Sequence, residues 1–217
     1  MKKLTLFLII LSMTLTACTS SETVPNSKGV YLLLDTSGTY TQELKKAQQI
    51  IGYLLGTLGP GDSFVVARID SGSFSEKDII AKVTFDSRPS VSNAQKRAFA
   101  KTVNAFVNNV KSSPYTDISG GLLQAIEFLN EAKVGKKHIL IYSDLKEELP
   151  EGFVRDFDLI LDGFSVHALN VTKLRTDNID PKEYLNRLEE WKYKVKNGGG
   201  QWTVVNDLDR QDALMLM

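Results

Sequence analysis

Six short apolar runs recur along the chain: Val30 to Leu34, Phe64 to Ile69, Ile79 to Phe85, His138 to Tyr142, Phe164 to Val171 and Trp202 to Val205. Each is bounded by turn residues and too short for an ordinary helix, which predicts strands. Between most of them apolar residues return every three or four positions, the period of a helix with one buried stripe. Leu44, Ala47, Ile51, Leu54 and Leu58 make such a stripe from about Tyr40 to Leu58, stopped by Gly59-Pro60-Gly61-Asp62. Ser92 with Gln95 fits a capping box ahead of Phe99, Val103, Phe106 and Val110. Leu122, Ala125, Ile126 and Leu129 mark a third helix behind a polar loop in which Thr116, Asp117 and Ser119 are candidate N-caps. Asp180-Pro181-Lys182-Glu183 opens a fourth, with Leu185, Leu188 and Val195 expected inward and Gly198-Gly199-Gly200 past its end. The stretch from Leu145 to Gly163 follows neither period, and a short last helix is expected in the tail from Asp207.

Strands alternating with helices predict an α/β domain: a doubly wound, mostly parallel open sheet with helices on both faces. The second and third runs have no helix between them, so one antiparallel strand is expected at the edge. Residues 29–217 form this single domain. The formal charge is balanced, with 26 Lys and Arg against 26 Asp and Glu, so nothing favours a nucleic-acid partner.

The first 28 residues read differently. Met1-Lys2-Lys3 is a short basic start, Leu4 to Leu15 is an apolar run too short for an ordinary membrane span, and Cys18, the one cysteine of the chain, follows at once. Leu15-Thr16-Ala17-Cys18 resembles the lipobox of bacterial lipoproteins. That resemblance implies a signal peptide over residues 1–17, lipidation of Cys18 and an extracytoplasmic protein held on a bacterial membrane. The threonine after the cysteine is compatible with the outer membrane where the cell has one. Polar residues up to Lys28 then form a tether, so 18–28 separates anchor from domain.

Candidate chemistry gathers where the first strand ends. Val30 to Leu34 runs into Asp35, and hydroxyls follow at alternate positions, Ser37 and Thr39. In a parallel sheet ligands sit beyond the carboxyl ends of the strands, which places Asp35 at the correct pole. Oxygen donors on a tight turn favour Mg2+ or Mn2+ over Zn2+. The fourth run repeats the design, delivering Asp144 at its end. His138, His167, Trp191, Tyr193 and Trp202 have no partner at catalytic or ligand spacing and are expected to serve packing.

Asp35-Thr36-Ser37-Gly38-Thr39, Thr116-Asp117-Ile118 and Ser143-Asp144, in that order, resemble the metal-ion-dependent adhesion site of von Willebrand factor type A domains. The resemblance runs from about Lys28 to Leu208. It implies a Mg2+ or Mn2+ ion held by the hydroxyls of Ser37, Thr39 and Thr116, with Asp35 and Asp144 acting directly or through water. It also implies a protein partner that offers an acidic residue to the metal. Thr39 stands where that family more often has serine, and Leu145 where a glycine often follows the last aspartate. The expected function is therefore an anchored binding module without catalytic turnover.

Two other readings use the same residues. In the first, the domain is an assembly subunit of an envelope complex that docks through its helices, with the metal incidental or lost. In the second, Asp35 is the nucleophile of a phosphoryl-transfer enzyme like the haloacid dehalogenases, with Asp144 holding Mg2+. That class wants an acid two residues after the nucleophile, and the chain has Ser37 there.

Overall fold

The computed structural model describes residues 26–207 apart from 39, 41–42 and 71–75. The expected signal peptide, Cys18, Thr39 and the tail helix lie outside the described residues. Six strands, β1 (Lys28–Leu34), β2 (Ser63–Arg68), β3 (Ile79–Thr84), β4 (Lys136–Tyr142), β5 (Phe164–Leu169) and β6 (Gln201–Val205), form one sheet in the order β3-β2-β1-β4-β5-β6. All pairings are parallel except β2 with β3. β1 and β4 lie centrally and are almost wholly buried, as their unbroken apolar runs require.

Helices α1 (Leu44–Thr57) and α2 (Pro89–Asn109) cover one face, packing Leu54, Phe99 and Val103 onto Leu32, Phe64 and Leu140. Helices α3 (Ile118–Glu131) and α4 (Pro181–Asn197) cover the other, where Leu122, Leu129, Trp191 and Val195 meet Leu33, Ile139 and Val166. The chain winds one way from β1 and the other way from β4, so a crevice opens between them at their carboxyl ends. No helix among the described residues is long and apolar enough to cross a membrane.

The turn after α1 has a fixed role. Asp62 accepts from the Lys28 amide at 2.7 Å and from the Gly59 amide at 2.8 Å, tying the entry of β1 to the turn before β2.

Several local expectations are corrected. α2 begins at Pro89, ahead of Ser92, and Gln95 caps nothing: its side chain bridges the Asp86 amide and the Thr84 carbonyl at the end of β3. Leu185 is 57% exposed, because the buried stripe of α4 runs Leu188, Trp191 and Val195 and leaves Leu185 outside it. Tyr193 is 70% exposed and is not a packing residue. The β4–β5 connection has no helix and runs as irregular chain, pinned by buried Leu145, Leu159 and Leu161.

Candidate metal centre

Asp35 follows β1 directly, and its amide donates to the Tyr142 carbonyl at 3.0 Å, which holds it level with the end of β4. The carboxylate is fully buried and ringed by donors. Oδ1 accepts the Ser37 amide at 2.8 Å and Oδ2 accepts the Ser143 hydroxyl at 2.6 Å. The side chains of Ser37 and Thr116 also lie close enough to this carboxyl group to lower its proton affinity. Three separate segments therefore meet on one side chain, and Thr116 and Asp144, distant in sequence, are both buried beside it.

Backbone bonds set this arrangement. The Ser113 amide donates to the Thr36 carbonyl at 3.0 Å, and the Asp117 amide to the Ile69 carbonyl at 3.0 Å, fastening the 113–117 loop across the ends of β1 and β2. Thr116 and Glu148 exchange both backbone bonds, at 2.8 and 2.9 Å, which staples that loop to the segment after Asp144. The Glu147 carboxylate accepts from the amide and hydroxyl of Ser119, at 2.6 and 3.1 Å, so it caps α3 and does not point at the candidate ion.

Of the three candidate N-caps, Asp117 takes the role, accepting the Gly120 amide at 2.8 Å. The glycine pair behind it is required by contact. A β-carbon at position 120 would lie 2.5 Å from Asp117 Oδ2, and one at 121 would lie 2.6 Å from the Ile69 side chain. Arg155 closes over Asp117 with Nη2 2.6 Å from Oδ2, a pair nearly excluded from water.

On the opposite flank the Asn170 side-chain Nδ2 shares its two hydrogens among the hydroxyls of Tyr40 and Tyr142 and the Glu43 carboxylate, while Tyr142 donates to the Glu43 carbonyl. Asn170 holds a φ of 52°, a region asparagine tolerates better than most residues. This network joins the ends of β4 and β5 to the start of α1.

Burial raises the proton affinity of Asp35, while bonds from Ser143, Ser37 and Thr116 oppose the rise. Asp144 is pushed up to about 6, chiefly by burial and further by the charge of Asp35, against the Lys146 amide and the charges of Arg187 and Lys146. Two buried acids that each resist ionisation, beside hydroxyl oxygens, make a donor set that a divalent cation would complete by reversing both shifts. Among the described residues no cluster of three or more His, Cys, Asp or Glu side chains could hold a metal. The oxygens that are present, two carboxyl groups with hydroxyl side chains beside them, are hard donors of the kind that Mg2+ or Mn2+ takes.

The residues open onto a crevice of about 630 Å³, with Ser37, Gly38 and Asp144 lining it beside Ser113, Leu174 and Arg175. Lys146 stands on its rim, paired with Glu148 at 2.6 Å. The Arg175 side chain has no ion-pair partner among the described residues.

No family profile matches the chain. Over 108 residues, 49% of the chain, it is 29% identical to inter-alpha-trypsin inhibitor heavy chain H1 of Mesocricetus auratus, of which it spans only 10%. The conserved hypothetical protein BatB of Bacteroides thetaiotaomicron superposes with a TM-score of 0.50 at 14% identity, over 88% of this chain and 96% of that one. A von Willebrand factor type A protein of Catenulispora acidiphila aligns with a TM-score of 0.48 at 14% identity, over 85% of this chain and 40% of that one. An aerotolerance-related membrane protein of Bacteroides fragilis, carrying serine substitutions, aligns at 0.45 with 15% identity, over 88% and 97%. At these identities the likeness is one of fold. The chain has the von Willebrand factor type A fold: one antiparallel edge strand, β1 and β4 side by side, and two helices on each face.

Sequence reasoning gave Ser143 no separate task, although its bond to Asp35 is among the shortest at the site. It also missed Arg155 and Arg187, whose partners Asp117 and Asp177 touch them in space but lie 38 and 10 residues away along the chain, where no spacing signal links them.

Proposed function

We propose that this chain is an extracytoplasmic binding module, anchored to a membrane through lipidated Cys18, that engages a protein partner through a Mg2+ or Mn2+ ion. Ser37, Thr39 and Thr116 would hold the ion through hydroxyls, with Asp35 and Asp144 bound directly or through water. The observation that carries this reading is the gathering of Ser37, Thr116 and Ser143 around the buried Asp35, with Ser143 bonded to it, beside a crevice that Ser37 and Asp144 line. An ion held largely by neutral oxygens and water stays electron-poor, and that suits it to accept a carboxylate from a partner. Arg175 on the crevice wall would favour an acidic partner further, the charge of Lys146 being offset by Glu148. Both Asp35 oxygens already accept internal hydrogen bonds, which suits a holder of the ion better than a nucleophile.

Calorimetric titration of Mg2+ and Mn2+ into the purified chain tests the reading directly. Saturable binding by the parent chain, lost in Asp35→Ala and strongly weakened in Thr116→Ala, is the expected result. Equal heats from all three would overturn it.

One observation favours the assembly-subunit alternative. Phe153, Val154, Phe157 and Ile160 of the β4–β5 connection are exposed, as is Tyr193 on α4, and Phe157, Ile160 and Tyr193 line a second crevice of about 540 Å³. Partner binding that persists in chelator and in Asp35→Ala, but falls in Phe157→Ser, would assign docking to that side.

A further inference from the structure

Asp144 and Leu145 form an elbow that the local chain does not favour. Leu145 holds a φ of 66°, in the left-handed region, with its side chain 1% exposed. A β-carbon there crowds the neighbouring carbonyl, and leucine has no side-chain polar group to compensate. Such a conformation persists only where the surroundings over-determine it.

The surroundings are partly local. The Leu145 amide donates to Ser143 Oγ at 3.0 Å, and the Lys146 amide to Asp144 Oδ1 at 2.9 Å. The two carbonyls of the elbow are held from elsewhere, by one helix. Arg187 Nε donates to the Asp144 carbonyl at 3.3 Å, and Trp191 Nε1 donates to the Leu145 carbonyl at 3.0 Å. Four residues apart on α4, the two donors stand one turn above the other on a single face. Arg187 is itself fixed, its Nη1 and Nη2 gripping both oxygens of Asp177 at 2.8 and 2.7 Å, and Asp177 is buried.

We propose that Arg187 and Trp191 are positioning residues of the cation site, and that through them α4 is coupled to its occupancy. With both carbonyls pinned, the elbow keeps its left-handed turn and Asp144 stays aimed at the space beside Ser37 and Thr116. Released, Leu145 relaxes toward ordinary backbone and carries the Asp144 peptide with it. Coupling of this kind is reciprocal: what α4 does for the ion, the ion does for α4. The inference rests on the cation reading above.

The test titrates the full-length chain with Mn2+ followed by electron paramagnetic resonance, in the parent and in Trp191→Phe, Arg187→Lys and Tyr193→Ala. Trp191→Phe keeps an aromatic ring and loses only the donor. Arg187→Lys keeps the charge and loses the planar fork. Each is expected to weaken Mn2+ binding about five- to tenfold, the scale of one lost hydrogen bond, while Tyr193→Ala binds as the parent does. An Arg187→Lys variant that binds normally would mean that the charge acts and the grip does not, and would overturn the assignment of Arg187. Normal affinity in a folded Trp191→Phe would overturn that of Trp191.

Hydrogen exchange on the parent alone decides the coupling, even where a variant fails to fold. Mn2+ is expected to slow exchange across α4 and at Leu145 and Lys146. Binding with no change there would overturn the coupling and leave the cation site standing. A parent that takes up no Mn2+ would overturn both.

Discussion

The Ser143 hydroxyl donates to Asp35 Oδ2 at 2.6 Å, and its oxygen accepts the Leu145 amide at 3.0 Å. One side chain thus spans the seam between β1 and β4 and braces the elbow that carries Asp144. Ser143→Ala removes the donor to a buried carboxylate and the acceptor of a buried amide. We expect a loss of about 1–3 kcal/mol in stability by chemical denaturation. The Asp35 carboxyl should also hold its proton more tightly, because that bond is the largest influence opposing its burial.

Acid should destabilise the fold through two histidines. His138 and His167 stack at 5.8 Å between β4 and β5, both buried, and both nitrogens of His138 lack a hydrogen-bond partner among the described residues. Burial lowers each to about 4, with the charges of His167, Lys28 and Lys136 adding to the effect on His138. The unfolded chain takes up protons below its ordinary value near 6.5. The folded chain does not until about 4. Stability is therefore full above 6.5 and is lost as pH falls toward 4, by up to about 3 kcal/mol per ring. Asp35 and Asp144, raised by burial, work in the opposite sense, so the difference between the parent and His138→Phe isolates the histidine part. Melting curves from pH 7.5 to 4 should show a shallower acid limb in the variant.

Arg155→Met should cost about 3–5 kcal/mol, because it leaves Asp117 buried without its cation. Arg155 is 11% exposed as a side chain and Asp117 2%, so water cannot replace the pair. Asp117 still caps α3, so the domain should stay folded in mild conditions. Urea denaturation at low and high salt checks the cost and, since the pair is little exposed, should find it nearly independent of salt.

Gly120→Ala is expected to lower stability by about 1–3 kcal/mol through overpacking against the cap. The new methyl would press on Asp117 Oδ2, 2.5 Å from its ideal position. Loss of protection at the first amides of α3, read by hydrogen exchange, would separate this from a general weakening.

The sheet was legible because its strands are buried on both sides and read as unbroken apolar runs, each ended by turn residues. Asp35 and Asp144 were legible for the same reason: a carboxylate ending such a run stands out. The surface of α4 was not, since Leu185 and Leu188 look alike in sequence and only the direction of the stripe through Trp191 separates them. The 145–163 segment has no period because it makes no regular element, and three buried leucines fix its path. Gln95 illustrates the converse. A residue type suited to a capping box was used for side-chain bonds to Asp86 and Thr84, an outcome set by where β3 ends rather than by local spacing.

β1 enters the sheet at Lys28 and leaves it at Leu34, immediately before the crevice. The rise of about 3.3 Å per residue from Lys28 to Leu34 puts roughly 20 Å between the two poles. An anchor ahead of Lys28, as proposed above, would therefore pull on one end of the domain while the opening faces away from it. Tension would run along the strand that carries Asp35, so a load applied between partner and attachment would be borne by the central strand and its parallel neighbours, in shear.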